Sequence, residues 1–229
     1  MPRPPLAVRQ AAMSAWLALL LAATTPTLAA DALPDLMPAL QLAGDAAAGQ
    51  KAFEACIRCH RRDASGRQNG TVPRLSGQHA QVIVKQVADI RSGLRANPAM
   101  KPFADAHSLT PQGLADIAAH LQALPMAGAI GKGQARAVER GQTLYTRDCV
   151  ACHGARGEGR ADAFVPMLAG QHHGYLVNEL GLIRDGGRGN SNPAMVQVVK
   201  AMDAADFEAL ADYIAQLPLP GTGAGVGKP

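Results

Sequence analysis

Two short stretches of the chain carry residue types that can do chemistry: "CIRCH" at Cys56–His60 and "CVACH" at Cys149–His153. On a helix, residues i and i+3 share a face and i+4 lies beside them. Two thiols so placed reach the two vinyl groups of one porphyrin, and the imidazole that follows points at its iron. C-x-x-C-H is accordingly the attachment motif for c-type haem. Cys56, Cys59 and His60 make one such site, and Cys149, Cys152 and His153 a second, so two covalently bound haem c groups are expected. Ile57, Arg58, Val150 and Ala151 point elsewhere. Other cysteine chemistry fits less well. Exported cysteines often pair as disulfides, which leaves the adjacent histidines unexplained. A four-cysteine zinc site has its pairs closer in sequence, and a thioredoxin-like pair needs a βαβ context that is absent.

A haem iron has a second axial position, and methionine opposite histidine is the choice that raises its potential. "NPAM" occurs at Asn97–Met100 and again at Asn192–Met195, 40 and 42 residues after the two histidines. Met37 and Met126 flank the first half, Met167 aligns with Arg74, and Met202 with Leu109. Only Met100 and Met195 recur in a shared local sequence, which makes them the candidate sixth ligands; the competing reading is flexible core filling. His79 and His172, with His173 beside the latter, are rival ligands, read here as polar residues at a helix start. His107 and His120 have no counterpart in the other half.

The elements that hold these residues come in duplicate. An offset of 93 residues superposes the cysteine motifs, "VPRLSGQH" (Val72–His79) on "VPMLAGQH" (Val165–His172), Arg91 on Arg184, Arg95 on Arg188, and Pro125 on Pro218. Agreement in register over that span marks a duplicated domain. Each half reads as a short helix into the cysteines, a Gly-rich loop, a middle helix and a last helix. The last helices show apolar residues at helical spacing: Leu114, Ile117, Leu121, Leu124, and Phe207, Leu210, Ile214, Leu217. Thr110 and Asp203 are candidate N-caps. No segment reads as a strand, so the fold class is all-α. "MAGAIGKGQARAV" reads as a linker, and "PLPGTGAGVGKP" as a tail. The expected limits are a leader at 1–30, domain 1 at 31–125, a linker at 126–138, domain 2 at 139–218 and a tail at 219–229.

The leader is predicted from Arg3 and Arg9, the apolar run Ala11–Ala23, and the small residues after it, with cleavage between Ala29 and Ala32. That run is short for a membrane span, and an exported, periplasmic protein is expected. Losing Arg3 and Arg9 takes 22 basic residues to 20 against 18 acidic ones. So small an excess gives no case for nucleic acid and at most peripheral association with a membrane. Seven Phe and Tyr residues remain outside the leader, whose Trp16 is the only tryptophan. Thin cores of this kind need a staple, and a covalently attached apolar plate would supply it.

With two C-x-x-C-H motifs, two V-P-x-L-x-G-Q segments and two N-P-x-M segments, the chain from about Ala46 to Pro218 resembles the dihaem c4-type cytochromes c. The resemblance implies two tandem class I cytochrome c domains, each wrapped around one haem, with the haems facing across the interface. It also implies that the carbonyls of Pro73 and Pro166 accept hydrogen bonds from His60 and His153, fixing the tautomer of each ring. The first motif departs from the usual "CHG" in reading "CHRR", and the second half inserts "NS" before its N-P-A-M. The expected function is a monomeric electron carrier, its partners being redox proteins: a membrane quinol-oxidising complex or dehydrogenase on one side, a terminal oxidase or reductase on the other. A dihaem peroxidase or thiosulfate-oxidising enzyme, and a cytochrome subunit fixed to a dehydrogenase, are the alternatives. Arg58, Arg61, Arg62 and Arg67 cluster near the first motif, as a solvated charged face or as a docking patch for an acidic partner.

Overall fold

The computed structural model describes residues 36–220, besides Met1. The expected leader, and the tail from residue 221 on, lie outside the described residues. Eleven α-helices are described. In the first half they are α1 (Leu36–Gln41), α2 (Ala46–Phe53), α3 (Ile57–His60), α4 (Ala80–Ser92), α5 (Lys101–Ala104) and α6 (Pro111–Ala123). In the second half they are α7 (Val138–Asp148), α8 (Val150–His153), α9 (His173–Arg184), α10 (Pro193–Lys200) and α11 (Ala204–Ile214). A 3₁₀ turn spans Ala161–Ala163, and a single bridge joins Arg160 to Val165; there is no strand among the described residues.

The two halves are built alike. The helix that enters each cysteine motif crosses the last helix of its half, α2 on α6 and α7 on α11, and the middle helices α4 and α9 pack on the same last helices. The anticipated stripes face inward: Leu114, Ile117 and Leu121 in one core, Phe207, Leu210, Ile214 and Leu217 in the other. Both predicted caps form. The Thr110 hydroxyl accepts from the Gly113 N–H at 3.1 Å, and Asp203 and Asp206 close a capping box. Each last helix also carries a buried aspartate that catches the incoming chain. Asp116 accepts from the Asp45 N–H at 2.8 Å, and Asp212 from the Ala135 and Ala137 N–H groups at 3.0 and 3.1 Å.

The two entry crossings are close enough that backbone meets backbone. A Cβ on Gly49 would fall inside contact distance of the Asp116 carbonyl, and one on Gly141 would do the same to the Ala209 carbonyl. Neither obstacle is the end of a flexible side chain, so each helix would have to move off its partner. Gly49→Ala and Gly141→Ala should each lower the unfolding free energy by about 1–3 kcal/mol, measured by urea unfolding of the haem-loaded chain. Wild-type stability in both variants would show that the crossings tolerate a side chain.

Candidate haem sites and the joint between them

In each half the entry helix stops at the cysteine motif and a four-residue helix, α3 or α8, completes it. His60 and His153 are buried, 6% and 7% exposed, whereas Cys59 and Cys152 face out. None of the four cysteines is paired in a disulfide. Burial pushes the Cys149 thiol up to about 12, so it stays protonated as a free thiol. The first half contains a cavity of about 550 Å³ whose wall includes Cys56, His60, Leu75, Ile83, Met100 and Leu114. Thiol, imidazole and thioether thus meet in one apolar chamber. In the second half His153 is buried beside Cys149, and Met195 packs on the core that includes Cys149, Leu176 and Leu180.

The imidazoles are oriented from behind. His153 Nδ1 lies 3.0 Å from the Pro166 carbonyl, so the ring donates there and leaves Nε2 free as a ligand. Burial pulls both histidines' pKa values down, and the proline carbonyls push back, which keeps the rings neutral. His60 Nδ1 is buried without a fully formed hydrogen bond, although the Pro73 carbonyl is near enough to favour its N–H. Gly66 and Gly159 fold over these carbonyls with φ of 73° and 69°. A Cβ on either would strike the proline carbonyl in front of it, so this turn needs glycine both sterically and in φ. Free thiols at i and i+3, a buried neutral imidazole aimed by a carbonyl, and an apolar chamber of this size are what a covalent haem requires.

The methionine segments differ in detail between the halves. Met100 precedes the short α5, its N–H bonded to the Asn97 side chain at 3.1 Å. Met195 sits inside the first turn of α10, which Asn192 caps through the Ala194 N–H at 2.9 Å. The two-residue insertion before Asn192 thus goes with a longer helix. Behind both segments stands the repeated arginine. Arg91 donates to the Ala104 and Leu109 carbonyls at 2.5 and 2.6 Å, and Arg184 reaches the Met202 carbonyl at 3.5 Å. The repeat revealed these arginines, but not that they tie down the chain following each methionine.

The second part of the repeat, G-Q-H, joins the halves. Gln171 accepts from the Arg74 N–H and donates to its carbonyl, at 2.9 and 3.1 Å. Gln78 does the same to Met167, at 2.9 and 3.0 Å. His172 Nε2 meets the Ser65 carbonyl at 2.7 Å and His79 Nε2 meets the Glu158 carbonyl at 2.8 Å. Each pair maps onto the other by the 93-residue offset. The expectation of polar helix-start residues is therefore corrected in one respect. His79 and His172 do occupy N-cap positions, yet their rings cross to the other half, and His172 is fully buried. The segment between the halves is tied down as well: Arg74, 3% exposed, donates to the carbonyls of Ala127, Gly128 and Ala129.

Two helical domains, each with a haem-attachment motif and joined by a reciprocal bonding pattern, define a tandem dihaem protein. Comparison with known proteins agrees. The cytochrome c family model matches twice, over residues 46–125 and 138–218. The chain is 36% identical over 203 residues to the thiosulfate dehydrogenase electron acceptor of Stutzerimonas stutzeri, covering 80% of this chain and 93% of that protein. It is 32% identical to the cytochrome c4 of Pseudomonas aeruginosa, covering 75% of this chain and 88% of that one. Among solved structures, reduced recombinant cytochrome c4 from Pseudomonas stutzeri superposes with a TM-score of 0.69 at 31% identity, covering 77% of this chain and all of that one. The chain belongs to the cytochrome c family, as a dihaem c4-type member. It carries two covalently bound haem c groups, and its function is electron transfer and not catalysis.

The joint carries a pH signature. The neutral His172 ring donates from Nε2 to Ser65 and accepts the Gly131 N–H at Nδ1, 3.1 Å away. Burial, followed by the nearby Arg74 and Arg61 charges, holds its pKa below the usual value against the pull of the Ser65 carbonyl. The unfolded chain takes up this proton near pH ~6.5 and the folded chain does not, so acidification below that point favours unfolding. The stability advantage of wild type over His172→Gln should therefore shrink as pH falls from 7.5 towards 5, by at most ~1.4 kcal/mol per pH unit. Urea titrations across that range provide the measurement; a constant difference would mean that folding leaves the His172 pKa where the unfolded chain has it.

Proposed function

We propose that His60 with Met100, and His153 with Met195, are the axial pairs of the two haem irons, with Pro73 and Pro166 orienting the histidines. The observation that carries this reading is the shared chamber of Cys56, His60 and Met100; in the second half His153 is buried, and Met195 packs on the core that contains Cys149. When bound, the haem groups supply iron that changes oxidation state by one electron. The chain's own part is to keep each imidazole neutral and fixed, to hold each thioether on a tethered segment, and to surround both with apolar side chains. Two protein ligands per iron leave no coordination position for a substrate, which suits a carrier.

The same reading places the domains at 31–125 and 139–218, and the protein in the periplasm as a monomer. No helix among the described residues is long and apolar enough to cross a membrane. The donor would be a membrane quinol-oxidising complex or a dehydrogenase, and the acceptor a terminal oxidase or reductase. The name of the S. stutzeri relative favours a dehydrogenase as donor, thiosulfate dehydrogenase in particular. Arg58, Arg61, Arg62 and Arg67 are all exposed around the first motif, and Arg62 pairs with Glu54. They form a docking face for an acidic partner.

Met100→Ala and Met195→Ala, made separately, should each lower one of the two reduction potentials by more than ~59 mV, a tenfold change in a one-electron equilibrium. Each variant should also bind carbon monoxide at one reduced iron, while the wild type binds none rapidly. Unchanged potentials in both variants would overturn the ligand assignment. Charge reversal at Arg58 and Arg61 should slow reduction by the physiological donor at low salt, and the deficit should fade as salt is raised.

A further inference from the structure

Glu179 is one of the charged positions inside the joint at which the two copies differ. Arg95 and Arg188 correspond by the 93-residue offset, and so do Gln86 and Glu179: an amide in the first half, a carboxylate in the second. The structure brings all four together. Arg95 donates to Gln86 Oε1 at 2.9 Å and to Glu179 Oε1 at 3.0 Å. Arg188 donates to Glu179 Oε2 at 2.6 Å and to Gln86 Oε1 at 2.9 Å. The side chains of Arg95, Glu179 and Arg188 are 12%, 12% and 17% exposed, so water and salt screen them weakly. Asp89, linked to Gln86 through the Asn190 amide, is already matched by Lys85 at 2.5 Å. The cluster thus has two guanidinium charges and one carboxylate.

That carboxylate does not stand evenly between the halves. Along α9, Leu176, Leu180 and Ile183 turn into the core of the second half. Tyr175, Glu179 and Leu182 lie on the adjoining face of the helix and form part of the wall of the first cavity. We infer that Glu179 makes the two haem sites electrically unequal, lowering the reduction potential of the site in the first half through a charge supplied by the second. Arg95 and Arg188 line the same wall, so the cluster as a whole is positive there, and the Glu179 carboxylate cancels part of the pull that the two guanidinium groups exert on an incoming electron. Glu179 is thus a positioning and tuning residue, set by the packing of one domain on the other.

The inference rests on each half holding one haem, which a count of two haems per chain checks first and independently of any potential. The experiment is a redox titration followed by proton NMR, with each haem assigned through its neighbours in its own half. Glu179→Gln, which copies the Gln86 of the first half, should raise the first-half potential by roughly 59 mV, a tenfold shift in its equilibrium, and move the second-half potential less. Gln86→Glu, which adds a second carboxylate to the cluster, should lower the first-half potential. Glu179→Asp, which keeps the charge, should restore most of the wild-type value. Loosening of the joint alone would not reverse sign between the first two variants. Equal shifts at both haems, or altered thermal stability with unmoved potentials, would overturn the inference.

Discussion

Everything in this molecule is arranged around two imidazole rings that have to be buried, neutral and fixed in direction. An imidazole in an apolar chamber loses its proton readily, but neutrality alone leaves two tautomers and free rotation. A backbone carbonyl behind the ring removes both freedoms, since only the Nδ1–H tautomer can donate to it. The carbonyl belongs to a proline, whose fixed φ stiffens the segment, and a left-handed glycine closes over it from the other side. The second half shows the completed bond. The same parts stand around His60, where the bond is less fully formed.

The two sites are not independent beads on a string. The residues that follow each proline carbonyl in sequence are those that bind the other half, so orientation of the histidine and docking of the domains share one short stretch, Pro73–His79 or Pro166–His172. Backbone groups left exposed by a loop with no strand or helix are satisfied by the glutamines of the opposite half. Rigidity at the iron and rigidity between the domains therefore have a common source. For electron transfer this matters, because a carrier works best when little moves as the charge changes.

Much of this was legible in the sequence, for physical reasons. The haem motif depends on spacing along one helix, the last helices on a 3.6-residue period, and the caps on local side chains; all are short-range. The repeat offset paired Arg91 with Arg184 and His79 with His172 without saying what they touch. His172 looked like a helix-start residue because its partner, Ser65, is 107 residues away, and no local pattern records such a contact. The Gly- and Ala-rich connection between the halves read as a simple linker because the groups that fix it, Arg74, His172 and Asp212, come from elsewhere in the chain. The glutamine of G-Q-H was a visible clue: a polar residue repeated in register.

The reciprocal bonds have one more consequence. Where residue i of one body binds residue j of another, and j of the first binds i of the second, the contact is that of an isologous homodimer with a two-fold axis. Arg74 with Gln171 and Gln78 with Met167 obey that rule, as do Ser65 with His172 and His79 with Glu158. The joint has the form of a self-complementary patch present twice on one chain. Because both copies share the chain, the contact is intramolecular and does not depend on concentration. Each copy of the patch can also differ from the other, which strict symmetry forbids, as Arg74 differs from Met167.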